Sequence, residues 1–148
     1  VLFRSRLGGL LGRDPEIDPG GDATAKAVAD ELTDLHAEAV RALLAESGLK
    51  AGDIDVIGFH GHTVFHRPDK GITRQIGDGG HLARDTGIAV VDDFRANDVA
   101  GGGQGAPLAP LYHAALSRKF EKPLVVLNIG GSANVTWLSP DGHRNSVV

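Results

Sequence analysis

The run GIAVVDDFRANDVAGGGQGAPLAP sets two adjacent carboxylates, Asp92 and Asp93, and the guanidinium of Arg95 between an apolar, β-branched segment and a glycine-rich loop. Proteins with parallel strands place reactive groups at the carboxyl ends of those strands, and a carboxylate there can take a proton from a substrate or from water. Asp93 is therefore the first catalytic candidate. Its neighbours act on it in opposite senses, since Asp92 would repel the second negative charge and Arg95 would pair with it. If the strand persists through both carboxylates, they face opposite sides and only one enters a site. The competing structural reading is that either one caps a helix over Phe94 to Ala100. Bare backbone at Gly101, Gly102, Gly103 and Gly105 leaves room for a substrate or phosphate to come close.

The segment FHGHTVFH carries His60, His62 and His66 at even spacing, so an extended strand would put all three on one face, as metal ligands require. Gly61 loosens that geometry. A metal-dependent hydrolase using His60, His62 and Asp93 is the rival reading. With no Cys and no further carboxylate at helical ligand spacing, hydrogen bonding of these histidines to a polar ligand is preferred over a metal centre. In NIGGSANVT, Gly130 and Gly131 leave backbone N–H groups available to a phosphate, with Ser132 and Asn134 as side-chain donors. Neither the Walker nor the Rossmann glycine spacing is present, so the common phosphate loops are not supported.

These groups need elements to hold them. Asp14 to Gly21, with Pro15 and Pro19, reads as a loop, and Asp22 is placed to cap a helix from Ala23 to Ser47. Val28, Leu32, Leu35, Ala39 and Leu43 mark an apolar stripe on that helix, which should pack on a sheet, and Gly48 suits its left-handed stop. Asp55 to His60 reads as a short buried strand, and Thr63 to His66 with Ile72 to Ile76 as a hairpin around RPDKG. Asp78 is expected to cap a short helix through Thr86 that ends at Gly87, ahead of a strand over Ile88 to Val91. Pro110 opens a helix to about Lys119, and Leu124 to Ile129 and Ala133 to Leu138 read as strands, followed by a turn at SPDG. The alternation of helix and strand predicts an α/β fold.

Composition narrows the function classes. The 148 residues are 41% hydrophobic, enough for about one core of ordinary size. The absence of Cys excludes thiol chemistry and a disulfide framework and agrees with a reducing cytoplasm. A net charge of −4 without a basic cluster argues against a nucleic-acid groove. VLFRSRLGGLL at the start is too short for a membrane span and lacks the cleavage site of a secretory signal; with 0 Met and Val1 first, the chain reads as an internal fragment.

Taken in order, HGHTVFHRP, QIGDG, VVDDFRANDVAGGGQGAPLAP and LNIGGSANVTW resemble the anhydro-N-acetylmuramic acid kinase family, from about Ala23 to Leu138. The resemblance implies a sugar kinase, actin and Hsp70 type of fold, in which two ribonuclease-H-like lobes close over a nucleotide. On that basis residues 1–121 would be the remainder of the first lobe, with the sugar site, and 122–148 the opening hairpin of the second. It also implies that ATP phosphorylates O6 of 1,6-anhydro-N-acetylmuramic acid while water opens the anhydro bridge, with Asp93 as the base for the water. His60, Gly61 and Gln75 would line the sugar pocket, and Arg95 would pair with Asp93 or meet the lactyl carboxylate. Gly130, Gly131 and Asn134 would meet the phosphates of ATP, which carries Mg²⁺. A cytoplasmic homodimer acting on this small amino sugar, with no membrane or nucleic-acid partner, is the further implication. The family's Gly-Thr-Ser-x-Asp-Gly phosphate loop has no counterpart in the chain, so ATP and Mg²⁺ are expected to bind it weakly and the fragment is expected to be inactive alone; a non-catalytic sugar-binding remnant is the other alternative beside the hydrolase. The family also more often carries Gln in place of His62 and a small apolar residue in place of Asp92.

Overall fold

Twenty-six residues rich in Ala and Leu and free of Gly and Pro form the longest element, a helix over Asp22–Ser47. It is one of the elements of a computed structural model that describes residues 2–12, 22–130, 133–141 and 144–147. A short helix, α1, covers Leu2–Gly8, and the long helix is α2. Gly48 closes α2 at φ 71°, and the Leu49 N–H reaches the Leu44 carbonyl at 3.1 Å. The Asp14 to Gly21 loop and the side chain of Asp22 lie outside the described residues.

Strands and shorter helices follow: β1 Ile57–Gly58, β2 His62–Arg67, β3 Ile72–Ile76, α3 Gly79–Thr86, β4 Val90–Val91, α4 Ala96–Ala100, α5 Ala109–Leu116, β5 Leu124–Ile129, β6 Ala133–Leu138 and β7 Arg144–Val147. β1 and β4 pair in parallel through Ile57 with Val90 and Gly58 with Val91. β2 and β3 form the expected hairpin, its turn closed by Gly71 at φ 71°, with a register shift between Thr63 and Phe65. β5, β6 and β7 form a three-stranded antiparallel sheet in that order. Helix and strand are mixed throughout, as the expected α/β class requires.

The sequence reading of α2 requires a correction. Leu35 and Leu43 are exposed, and the buried face instead runs through Ala25, Val28, Leu32, Thr33 and Ala37. That face meets two clusters. Leu10, Ala25, Val28 and Leu32 pack with Val64 and Ile76 of the hairpin, and Ala37 packs with Phe59 and Leu82 beside Ile57 and Val90. Thr33 belongs to the buried face because both of its hydroxyl needs are met there: it donates to the Ala29 carbonyl at 2.7 Å and accepts from the Asp78 N–H at 3.1 Å. Side-chain size misled the periodicity, since small residues allow the close packing and the larger Leu35 and Leu43 point elsewhere.

The strand expected over Asp55 to His60 is paired only at Ile57 and Gly58, extended by the Phe59 N–H donating to the Val91 carbonyl at 2.8 Å. Asp78 caps α3 as expected, its carboxylate accepting from the His81 N–H at 2.8 Å, and Gly87 ends the helix at φ 71°.

The compact units are Val1–Gly105 and Ala106–Val148. Within the second unit α5 packs with the sheet that follows it: His113 Nδ1 lies 2.9 Å from the Thr136 hydroxyl. No described helix is long and apolar enough to cross a membrane.

Candidate functional site

A cavity of about 290 Å³ in the first unit collects His60, Gly61, Gln75, Asp92 and Asp93 along its wall. Three element ends bring them together. β1 delivers His60 and Gly61, the parallel neighbour β4 delivers Asp92 and Asp93, and β3 contributes Gln75. The parallel pairing matters, because it sets the carboxyl ends of β1 and β4 side by side. Gly61 stands at φ 66°, and a Cβ there would lie 2.5 Å from the Ile76 carbonyl oxygen, so the β1 end passes β3 at a distance that only glycine permits.

The strand stops before the two carboxylates, so the alternation argument does not apply: Asp92 and Asp93 both line the cavity. Asp92 accepts from the Gly79 N–H at 3.1 Å. Asp93 turns at φ 50°, in the left-handed region that Asp visits more readily than most residues. Neither one caps the following helix, α4, whose N-cap position is held by Arg95 without a side-chain cap bond, which removes the capping reading. Asp93 is exposed and has no hydrogen-bond partner among the described residues.

Arg95 does not pair with Asp93. Its Nε donates to His60 Nε2 at 2.9 Å and its Nη1 to the Gly105 carbonyl at 2.7 Å. Accepting at Nε2 obliges His60 to be the neutral tautomer protonated at Nδ1, which points at the Gly61 carbonyl 3.1 Å away. Both His60 nitrogens are thereby engaged, which disfavours the metal reading with His62 and Asp93. The one cluster of three potential ligands among the described residues is Asp34, His81 and Asp85, where His81 joins α3 to α2. His66 is likewise committed, its Nδ1 lying 3.0 Å from the Thr73 hydroxyl. Gln75 is oriented by its amide nitrogen, which donates to the Thr73 hydroxyl at 2.9 Å and the Thr63 hydroxyl at 3.2 Å.

Two glycines of the glycine-rich loop are needed for its own packing: a Cβ at Gly103 would fall against the Asp98 carboxylate and one at Gly105 2.6 Å from Val99, whereas Gly102, at φ 87°, has open space beside it. Asp98 organises the turn by accepting from the Gly105 N–H at 2.6 Å. Sequence reasoning missed it. The available signal was an acid shortly before a glycine cluster, the arrangement in which a carboxylate gathers bare backbone N–H groups.

In the second unit, Gly130 is exposed at the end of β5, and Asn134 of β6 sits opposite Asn128. Gly131 and Ser132 lie outside the described residues. β7 was also missed: RNSV is too short and polar to read as a strand, and it pairs because β6 offers it an edge.

Residues 18–146 match the family model of anhydro-N-acetylmuramic acid kinase. Proteins bearing that name include one from Rhizorhabdus wittichii, 62% identical over 107 residues that make up 72% of this chain and 29% of the relative. One from Acidiphilium cryptum is 52% identical over 141 residues, 95% of this chain and 37% of the relative, and one from Rhizobium etli is 51% identical over 149 aligned residues, 95% of this chain and 40% of the relative. The chain thus spans 29% to 40% of the length of these relatives. The family model covers well over half of the chain, so the chain belongs to the anhydro-N-acetylmuramic acid kinase family.

Proposed function

We propose that this segment carries the sugar site of a kinase that opens the 1,6-anhydro ring of anhydro-N-acetylmuramic acid and phosphorylates O6, giving N-acetylmuramic acid 6-phosphate in the recycling of cell-wall sugar. The observation that carries the reading is the meeting of Asp93 and His60 at adjacent parallel strand ends in one cavity, within a chain of this family.

Asp93, with no internal partner, is the base. It takes a proton from the water that attacks C1; the C1–O6 bond breaks, and O6 attacks the γ-phosphorus as ADP leaves, so one water and one ATP are consumed per sugar. His60, Gly61 and Gln75 hold the sugar, with the Gln75 carbonyl accepting from a hydroxyl. Arg95 fixes the tautomer of His60 and keeps guanidinium N–H groups to meet the lactyl carboxylate.

ATP supplies the phosphoryl group, and Mg²⁺ neutralises its phosphates when bound. The segment joining β5 to β6 combines glycine backbone with polar side chains, a composition that suits a phosphate chain: Gly130, Gly131 and Asn134 would hold it there, with Mg²⁺ carried on the nucleotide. In this reading residues 1–121 and 122–148 belong to the two lobes of a ribonuclease-H-like kinase, a cytoplasmic homodimer working where ATP is available.

The test is turnover in a full-length protein containing this segment, supplied with ATP, Mg²⁺ and the anhydro sugar in ¹⁸O-labelled water. The expected product is the 6-phosphate with label at C1. Asp93→Asn should lower kcat by about a hundredfold to ten-thousandfold while sugar binding, followed by calorimetry, stays within about threefold. Unchanged turnover in that variant removes Asp93 from the chemistry.

A further inference from the structure

The residue beside the proposed base, Asp92, is tied to a different element. Its Oδ2 accepts from the N–H of Gly79, the first residue of α3, at 3.1 Å. The fit is close enough that a Cβ on Gly79 would stand 2.2 Å from that oxygen and 2.6 Å from Asp92 Cγ. The cap position of α3 is already filled by Asp78, which serves the His81 N–H, so Asp92 is a second carboxylate at the same helix start, where unpaired N–H groups and the helix dipole favour negative charge.

Asp93 follows at once, at φ 50°. A non-glycine residue persists in that conformation where its surroundings over-determine it. Its own side chain has no partner among the described residues, so the constraint comes from either side. Upstream, the Phe59 N–H holds the Val91 carbonyl at 2.8 Å and Asp92 holds Gly79. Downstream, Arg95 is fixed on His60 and on the Gly105 carbonyl. If Asp92 were freed, the upstream side would keep only the bond at the Val91 carbonyl, one residue further from the left-handed turn.

We infer that Asp92 is a positioning residue: its carboxylate, docked on the α3 N-terminus through Gly79, fixes the turn that aims Asp93 into the cavity. This rests on the reading of Asp93 as the base. The role is this chain's own, at a position where the family more often carries a small apolar residue, and it belongs to the hydrogen bond, which an uncharged acceptor can also make.

Two measurements test it. In this chain, Asp92→Ala should remove the protection of the Gly79 amide from hydrogen exchange, while Asp92→Asn, which keeps an acceptor oxygen, should retain it. In a full-length protein with this segment, Asp92→Ala should lower kcat about tenfold or more with KM within about threefold, and Asp92→Asn should recover most of the loss. Gly79→Ala, which pushes the carboxylate away without removing it, should match Asp92→Ala, and the double variant should be little worse than either single one. Wild-type Gly79 protection in Asp92→Ala, an unchanged kcat, or an Asn variant as slow as the Ala variant overturns the inference. An Asp93→Asn variant with normal turnover would instead overturn the assignment of the base and leave the Asp92–Gly79 contact standing as structure alone.

Discussion

The two compact units treat their apolar side chains differently. In the first, Leu82 is 1% exposed and closes over Phe59 and Ala37, while Val28 and Leu32 of α2 are buried against Val64 and Ile76. In the second, Val125, Leu127 and Ile129 alternate along one face of β5 and are 55%, 57% and 73% exposed. Tyr112, Leu116 and Phe120 are also exposed, beside an apolar hollow of about 240 Å³ lined by Leu116, Phe120, Leu124 and Val126. The first unit therefore holds its cavity on packing that its own residues complete. The second pairs its three strands and leaves apolar side chains of α5 and β5 exposed.

The sharpest way to break that contrast is to make the same deletion in each unit. Leu82→Ala removes a side chain with almost no access to solvent and should cost about 3 kcal/mol, from lost transfer energy and the cavity left behind. Leu127→Ala removes one that is mostly in water and should change stability by no more than about 0.5 kcal/mol. Urea unfolding of both variants decides it, and equal losses would show that the β5 face is buried in solution.

A smaller effect is expected where the first unit is tight because backbone meets backbone. Gly61→Ala places a Cβ 2.5 Å from the Ile76 carbonyl and demands φ 66° of a residue that avoids it. The expected loss is about 1–3 kcal/mol. His60 should move with the strand end, so the anhydro sugar should bind about tenfold or more weakly by calorimetry. A variant that loses stability yet binds normally would separate the cavity wall from the strand crossing beneath it.

The contrast also marks what could be read from residues alone. Local punctuation was legible: Asp78 and Gly87 bound α3 as expected, RPDKG turns the hairpin, and β5 and β6 have the ranges their β-branched runs indicate. In each case the information lies within a few residues, where caps and turn conformations are decided. The buried face of α2 was not legible, because Thr33 and Ala37 earn burial from partners more than forty residues away, such as Asp78 and Leu82. The site divides in the same way. Asp93, His60, Gly61 and Gln75 stood out by motif and do line one cavity, whereas the Arg95 bond to His60 and the Asp92 bond to Gly79 join segments whose approach no spacing rule gives. The glycine-rich loop shows the converse, since Gly103 and Gly105 carry the same signal whether a ligand or Asp98 and Val99 fill the space beside them.

The smallest effect belongs to an exposed contact of the first unit, which should behave like the exposed surface of the second. In the β2–β3 turn, Arg67 places Nε and Nη2 on the two carboxylate oxygens of Asp69 at 3.0 and 2.9 Å. These hydrogen bonds, more than the accompanying charge attraction, hold the Asp69 carboxyl below its ordinary value of 3.8. A carboxyl whose folded value is depressed adds stability that is present above the unfolded value and lost as pH falls through the folded one. Asp69→Asn should therefore destabilise the chain slightly at pH 7 and not at all once the pH is below the folded value. Because both side chains are about half exposed, added salt should shrink even the neutral-pH difference. Paired urea curves at the two pH values, each with and without salt, provide the check. A difference of the same size in acid would mean that Asp69 acts on the turn through its backbone conformation and not through its charge.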